Sequence, residues 1–177
     1  MDRAEFLDVL KDSFSAYYDL FPENEDAAPL PLIFRADYYS RAEKYWLSKS
    51  ITVWANETNE FAYIFSAPAF DAGLVDKCIE YALFEGLPRV KPHKEHQYTN
   101  IKVIFVADAF DDDTVAYVRK KKFSKNYHFS LHGFTELKTA AVDLQRQKAF
   151  PNRAGQELGD YFRKLFAAKN LPSQVVI

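Results

Sequence analysis

The chain has 177 residues, of which 48% are hydrophobic and 16% aromatic, enough apolar surface to close a core and too much for a disordered chain. Its formal net charge of −2 sets up no global field that would select nucleic acid or a membrane, and one cysteine excludes an internal disulfide framework. No apolar run approaches the roughly 20 residues that a membrane-spanning helix needs and no signal peptide opens the sequence, so the expectation is a single cytoplasmic domain over 1–177.

Residues 1–21 read as an amphipathic helix. Asp2 and Glu5 form a D-x-x-E capping pattern, and Phe6, Leu7, Leu10, Phe14, Tyr17 and Phe21 recur at helical spacing. An acidic loop opening at Pro22 ends it. The stretch 30–66 reads as a meander of three antiparallel strands, 32–38, 44–54 and 60–66. Asn56-Glu57-Thr58-Asn59 is the turn into the third, and short links favour antiparallel pairing.

From 60 to 144 the chain reads as a duplicated strand–helix–strand unit. Ile64, Phe65, Ala67, Ala69, Phe70, Asp71 and Val75 recur forty positions later as Ile104, Phe105, Ala107, Ala109, Phe110, Asp111 and Val115. Each copy opens with an apolar run suited to a buried strand. Asp71 and Asp111 then fall at helix N-caps, with Phe70 and Phe110 before them and Val75 and Val115 four residues after, the spacing of a hydrophobic staple. Parallel strands need crossovers of one hand, which puts both helices on one face. Cys78 belongs to the apolar side of the first helix and reads as a small core residue.

Residues 125–144 read as a hairpin. Tyr127, Phe129 and Leu131 alternate on its first strand, and His132-Gly133 makes the turn. The segment 152–169 reads as a last helix, with Leu158, Tyr161, Phe162, Leu165 and Phe166 on one face. The expected fold is therefore α/β, on the α+β border. It is a mixed sheet with an N-terminal antiparallel three-strand meander and a duplicated strand–helix–strand unit, helices packed on the sheet.

Two resemblances bear on chemistry. The order helix, three strands, helix, strand resembles the core of restriction-endonuclease-like folds. That resemblance implies an Asp and a Glu-x-Lys on adjacent strands, where carboxylates hold magnesium and the lysine assists the attacking water. Here the third strand offers Glu60-Phe61-Ala62, without the lysine. Glu136-Leu137-Lys138, which Asp108 could join, lies on what reads as the last strand. The pattern His, any residue, aromatic, Thr also occurs twice, at His96 and His132, and resembles the duplicated His/Thr motif of two-histidine phosphoesterases. Their motif is His-x-Thr, with both side chains on one face of a strand. The spacing here is His-x-x-Thr, which on a regular strand sends His96 and Thr99 to opposite faces. These residues make His96, His132, Glu136 and Lys138 the candidates for a catalytic site.

No phosphate-cradling glycine loop, HExxH, CxxC or nucleophile elbow is present, so no cofactor is expected. His93 and His96 form the densest ligand pair but name no third partner, so no metal is expected either. Charge placement says more. Arg89, Lys91 and Lys94 follow the first repeat helix, and Lys121, Lys122 and Lys125 follow the second. In a parallel arrangement the two groups share one edge of the sheet. The complement to helix C-termini accounts for part of this. The functional expectation is a non-catalytic binding or interaction domain whose basic rim docks nucleic acid or an acidic partner. The alternative is a phosphodiester hydrolase built on the four catalytic candidates.

Overall fold

Asp2 caps the first helix as its capping pattern requires. Its carboxylate accepts from the Glu5 N–H at 2.8 Å, and the Glu5 carboxylate accepts from the Asp2 N–H at 3.2 Å. The computed structural model describes residues 2–22, 29–45 and 52–169. Among them the elements run α1 (Arg3–Ser15), β1 (Asp19–Pro22), β2 (Leu32–Tyr45), β3 (Thr52–Ser66), α2 (Ala72–Gly86), a 3-10 turn (Leu87–Arg89), β4 (His96–Ala107), α3 (Asp112–Lys120), β5 (Ser124–Asn126), β6 (Phe134–Asp143), β7 (Lys148–Pro151) and α4 (Gln156–Lys169). No helix among the described residues is long and apolar enough to cross a membrane.

The strands form one mixed sheet in the order β1-β2-β3-β4-β6-β5, with β7 also paired to β6. β1, β2 and β3 are antiparallel, β3, β4 and β6 are parallel, and β5 and β7 run antiparallel to β6. Helices cover both faces. Phe61, Tyr63 and Phe65 of β3 and Ile101, Val103 and Phe105 of β4 point to the α2/α3 side. Ala62 and Ile64 of β3 and Ile104 and Val106 of β4 point to the α1/α4 side. Burial on both sides explains why these strands read as continuous apolar runs.

Asp71 accepts from the Leu74 N–H and Asp111 from the Thr114 N–H, each at 2.7 Å, so both are N-caps. α2 and α3 lie on the same face, and the rings of Phe70 and Phe110 stack at 5.8 Å. Cys78 is fully buried between α2 and the sheet, and that burial pushes its thiol up to about 12, far from reactivity.

Several boundaries differ from the sequence reading. α1 stops at Ser15, because Asp19–Pro22 pairs with the edge of β2 instead of continuing the helix. Pro22 lacks an N–H and suits such an edge strand. The strands expected at 32–38, 44–54 and 60–66 are one long hairpin of β2 and β3. Asn56-Glu57-Thr58-Asn59 is no turn. It lies within β3, paired to residues 42 to 39 of β2. Residues 46–51 of the expected middle strand, including Trp46, lie outside the described residues. The alternating run Tyr127, Phe129, Leu131 is a loop, not a strand. His128, Phe129 and Ser130 take positive φ of 47°, 55° and 68°, which no strand permits. β7 was not legible. The last helix starts at Gln156 instead of 152, because Asn152 is spent on the turn before it, its side-chain oxygen accepting from the N–H groups of Gly155 and Thr139.

Candidate functional site

Two polar groups flank the N-terminal halves of β4 and β6, one on each face of the sheet. On the α2/α3 face the pairing of β3 with β4 slips. Glu57 opposes His96 and Thr58 opposes Tyr98, which leaves Gln97 as an extra residue. This bulge turns His96 onto the same face as Thr99, and so corrects the opposite-face expectation. The buried His96 places Nε2 2.9 Å from Thr99 Oγ1 and Nδ1 2.8 Å from the His132 carbonyl oxygen. A carbonyl only accepts, so Nδ1 donates to it. Nδ1 thereby ties the 127–133 loop to β4, and Nε2 is engaged within β4 by Thr99.

All four histidines of the chain gather at this corner. The rings of His93 and His96 lie 6.3 Å apart, and those of His128 and His132 4.4 Å apart. Lost hydration and the neighbours His128, Lys94 and His93 hold the His132 imidazole below its usual range. His93 Nε2 meets Glu57 Oε2 at 2.8 Å, and Arg41 also pairs with Glu57. Burial works against the Glu57 charge, but Arg41 and His93 outweigh it and hold that carboxyl low. Among the described residues no three of His, Cys, Asp and Glu converge as metal ligands.

The rim residues divide. Arg89 turns inward to Asp37, which is 3% exposed, and stacks over Phe61 at 4.0 Å. Arg35 joins this network through Asp37 at 3.3 Å and Glu85 at 2.5 Å. Burial pushes the Asp37 carboxyl up even with Arg89 and Arg35 beside it. Lys121 pairs with Asp76 of α2 and sits 3.8 Å over the Tyr117 ring. These two cations are therefore spent on the fold. Lys91, Lys94, Lys122 and Lys125 remain exposed, on the loops and short strand that follow α2 and α3. Between them the 127–133 loop presents Phe129 and Leu131 to solvent at 101% and 76% exposure.

Glu136 and Lys138 occupy the other face. They stand beside Asn100 and Lys102 of β4, and Lys138 reaches Glu157 of α4 at 2.7 Å. The sheet thus separates Glu136 and Lys138 from His96, and the four candidates do not share one site.

What the α1/α4 face holds instead is a cavity of about 380 Å³, bounded by α1, the turn after it, α4 and the sheet. At its floor Lys102 Nζ meets Glu60 Oε2 at 2.5 Å. The Tyr18 hydroxyl also donates to Glu60, and Asn100 Nδ2 approaches the other carboxylate oxygen at 3.3 Å. Burial opposes the Glu60 charge, yet Lys102, Tyr18 and Asn100 together hold its carboxyl below the usual range. Burial and the same carboxylate push the Tyr18 phenol far up.

Register explains how the pair arises. Ala62, two residues after Glu60, lies opposite Lys102, so the neighbouring strand brings an ammonium beside the place where Glu-x-Lys would carry its own. The flanking positions of β2 are Ala36 and Tyr38, so that strand adds no second carboxylate. A legible signal was present: Lys102 interrupts the apolar run of a strand covered on both faces, and such a charge needs a partner.

No curated protein and no solved structure matches the chain. The family described as Domain of unknown function (DUF8052) matches residues 2–164. That span runs from the Asp2 cap well into α4 and takes in both polar groups, and the chain belongs to this family.

Proposed function

We propose that the chain is a non-catalytic binding domain that docks a polyanion or an acidic partner through its basic rim. One observation carries this reading. Lys91, Lys94, Lys122 and Lys125 stand exposed around one end of the sheet in a protein of net charge −2, whereas Arg89, Lys102, Lys121 and Lys138 each face a carboxylate. Exposed lysines left out of internal ion pairs are the groups that exchange counterions for phosphates or carboxylates. We further read the two strand–helix units as an internal duplication and the chain as one cytoplasmic domain, in keeping with the matching Phe-Asp caps and the shared sheet.

The hydrolase alternative, expected on His96, His132, Glu136 and Lys138, has His96 across the sheet from Glu136 and Lys138, and would have to draw on Glu60 and Lys102 instead. It lacks a second carboxylate on β2 to hold a magnesium ion, and His96 lies across the sheet from them. Titration at low salt with single-stranded and duplex oligonucleotides and with polyglutamate separates the readings. Weak, sequence-tolerant binding that falls steeply with added salt is expected. Reversing Lys94, Lys122 and Lys125 to Glu should abolish it. Absence of binding to all three probes removes the rim reading. Oligonucleotide cleavage lost in Glu60→Gln would install the hydrolase instead.

A further inference from the structure

We propose that the cavity between α1, α4 and the sheet binds a neutral, flat ring compound that carries a hydrogen-bond acceptor on one edge. The site lies on the opposite face from His96, uses none of the rim lysines and stands independently of the docking reading.

Shape comes first. The rings of Phe14, Tyr18, Tyr38 and Tyr161 form an arc along the wall. Phe14 lies 4.9 Å from Tyr18 and 5.9 Å from Tyr161, and Tyr18 lies 5.5 Å from Tyr38. The volume of about 380 Å³ falls at the small end of ligand sites, which run from roughly 300 to 1,000 Å³. Aromatic walls with few polar groups favour a ring that stacks or meets them edge to face.

Charge then selects among rings. Glu60 is offset by Lys102, and Glu157 by Lys138. A cationic ring would meet the Lys102 ammonium, which already lies 5.9 Å from the Tyr18 ring. An anionic ring would meet Glu60, Glu157 and the electron-rich ring faces. A neutral ring avoids both penalties.

Lys102 also sets the polar edge. An ammonium has three N–H groups. One bonds Glu60 at 2.5 Å and a second reaches the Tyr18 oxygen at 3.3 Å, which leaves the third for an acceptor in the cavity. A buried ion pair is a poor device for stability, since apolar side chains of like volume serve as well or better. Its position at the floor of an aromatic cavity is accounted for if it reads a ligand's edge.

The test uses quinolin-2-one, a flat neutral lactam, with N-methylquinolinium and quinoline-2-carboxylate as charged counterparts and piperidin-2-one as the saturated one. Isothermal titration of the full chain should give one-to-one saturation by quinolin-2-one at or below about a millimolar, a modest affinity for a ligand of this size. Each counterpart should bind at least about tenfold more weakly. Lys102→Met and Tyr38→Ala should each weaken quinolin-2-one by a similar factor, while Lys122→Glu should leave it unchanged. Tyr38 is half-buried and outside both hydrophobic clusters, so Tyr38→Ala decides the matter if Lys102→Met fails to fold. Equal or tighter binding of either charged probe overturns the proposal. So does failure of quinolin-2-one to saturate, or unchanged binding by a cooperatively melting Tyr38→Ala protein.

Discussion

Side-chain exposure is 8% for Lys102 and 18% for Glu60, so each depends on the other for solvation. Removing one partner strands the other charge in a poorly hydrated site. Lys102→Met is expected to cost about 3–5 kcal/mol in chemical denaturation, and the double variant Glu60→Leu/Lys102→Met to recover most of that loss. A double variant as unstable as the single would mean that the cost comes from packing and not from charge.

The same carboxylate has a pH signature. Its folded-state pKa lies below its unfolded value, so its stabilising contribution is complete above about pH 4.3, the ordinary glutamate value, and is lost as pH falls through the lower folded value. The stability gap between the native chain and Glu60→Gln should therefore be constant at neutral pH and narrow only in that acid range. A gap that closes nearer pH 6 or 7 would point to the histidine corner instead.

At the scale of elements, short-range chemistry placed the starts of three helices. Asp2, Asp71 and Asp111 all cap as their spacing implied. Replacing Asp71 by Ala should cost about 1 kcal/mol, and Asn should restore most of it, measured by urea denaturation. No change on Asp71→Ala would mean that the Phe70 and Val75 packing holds the helix start unaided.

Strand segmentation was less legible, for a local reason. Glu57 and Asn59 look like turn residues, but Arg41 and His93 pair with Glu57 and make that stretch of β3 favourable. The hairpin after α3 was foreseen, and its loop was not. Gly133 adopts φ +77°, and a Cβ there would come within 2.5 Å of the His96 carbonyl oxygen and 2.6 Å of the Gln97 carbonyl oxygen. The glycine thus lets the loop close onto the bulge of β4, a contact with Gln97, which lies 36 residues earlier in the chain.

Across the whole molecule, the sheet decides which residues can act together. The bulge at Gln97 puts His96 on one side, strand parity puts Glu136 and Lys138 on the other, and strand order joins Glu60 from β3 to Lys102 from β4. The same scale sets the rim. The crossovers α2 and α3 end at a common edge, so lysines distant in sequence share a surface. Exposed charges contribute little to folding, so the triple Lys94, Lys122 and Lys125 to Glu variant should melt like the native chain while losing polyanion binding. A large fall in melting temperature would show that these lysines belong to the fold.

The amino-acid sequence alone determined what depends on near neighbours. Helix starts follow from caps within one turn, buried strands from apolar runs, and the fold class from their order. Only the tertiary structure decided which cations are free and which face a carboxylate. It took Arg89 and Lys121 off the rim and turned His96 by a single-residue bulge. It also built the aromatic cavity from α1, α4 and three strands. The physical reason is that ion pairing and burial depend on distance in space. Register between strands sets those distances, and one residue of slip reverses the face a side chain occupies.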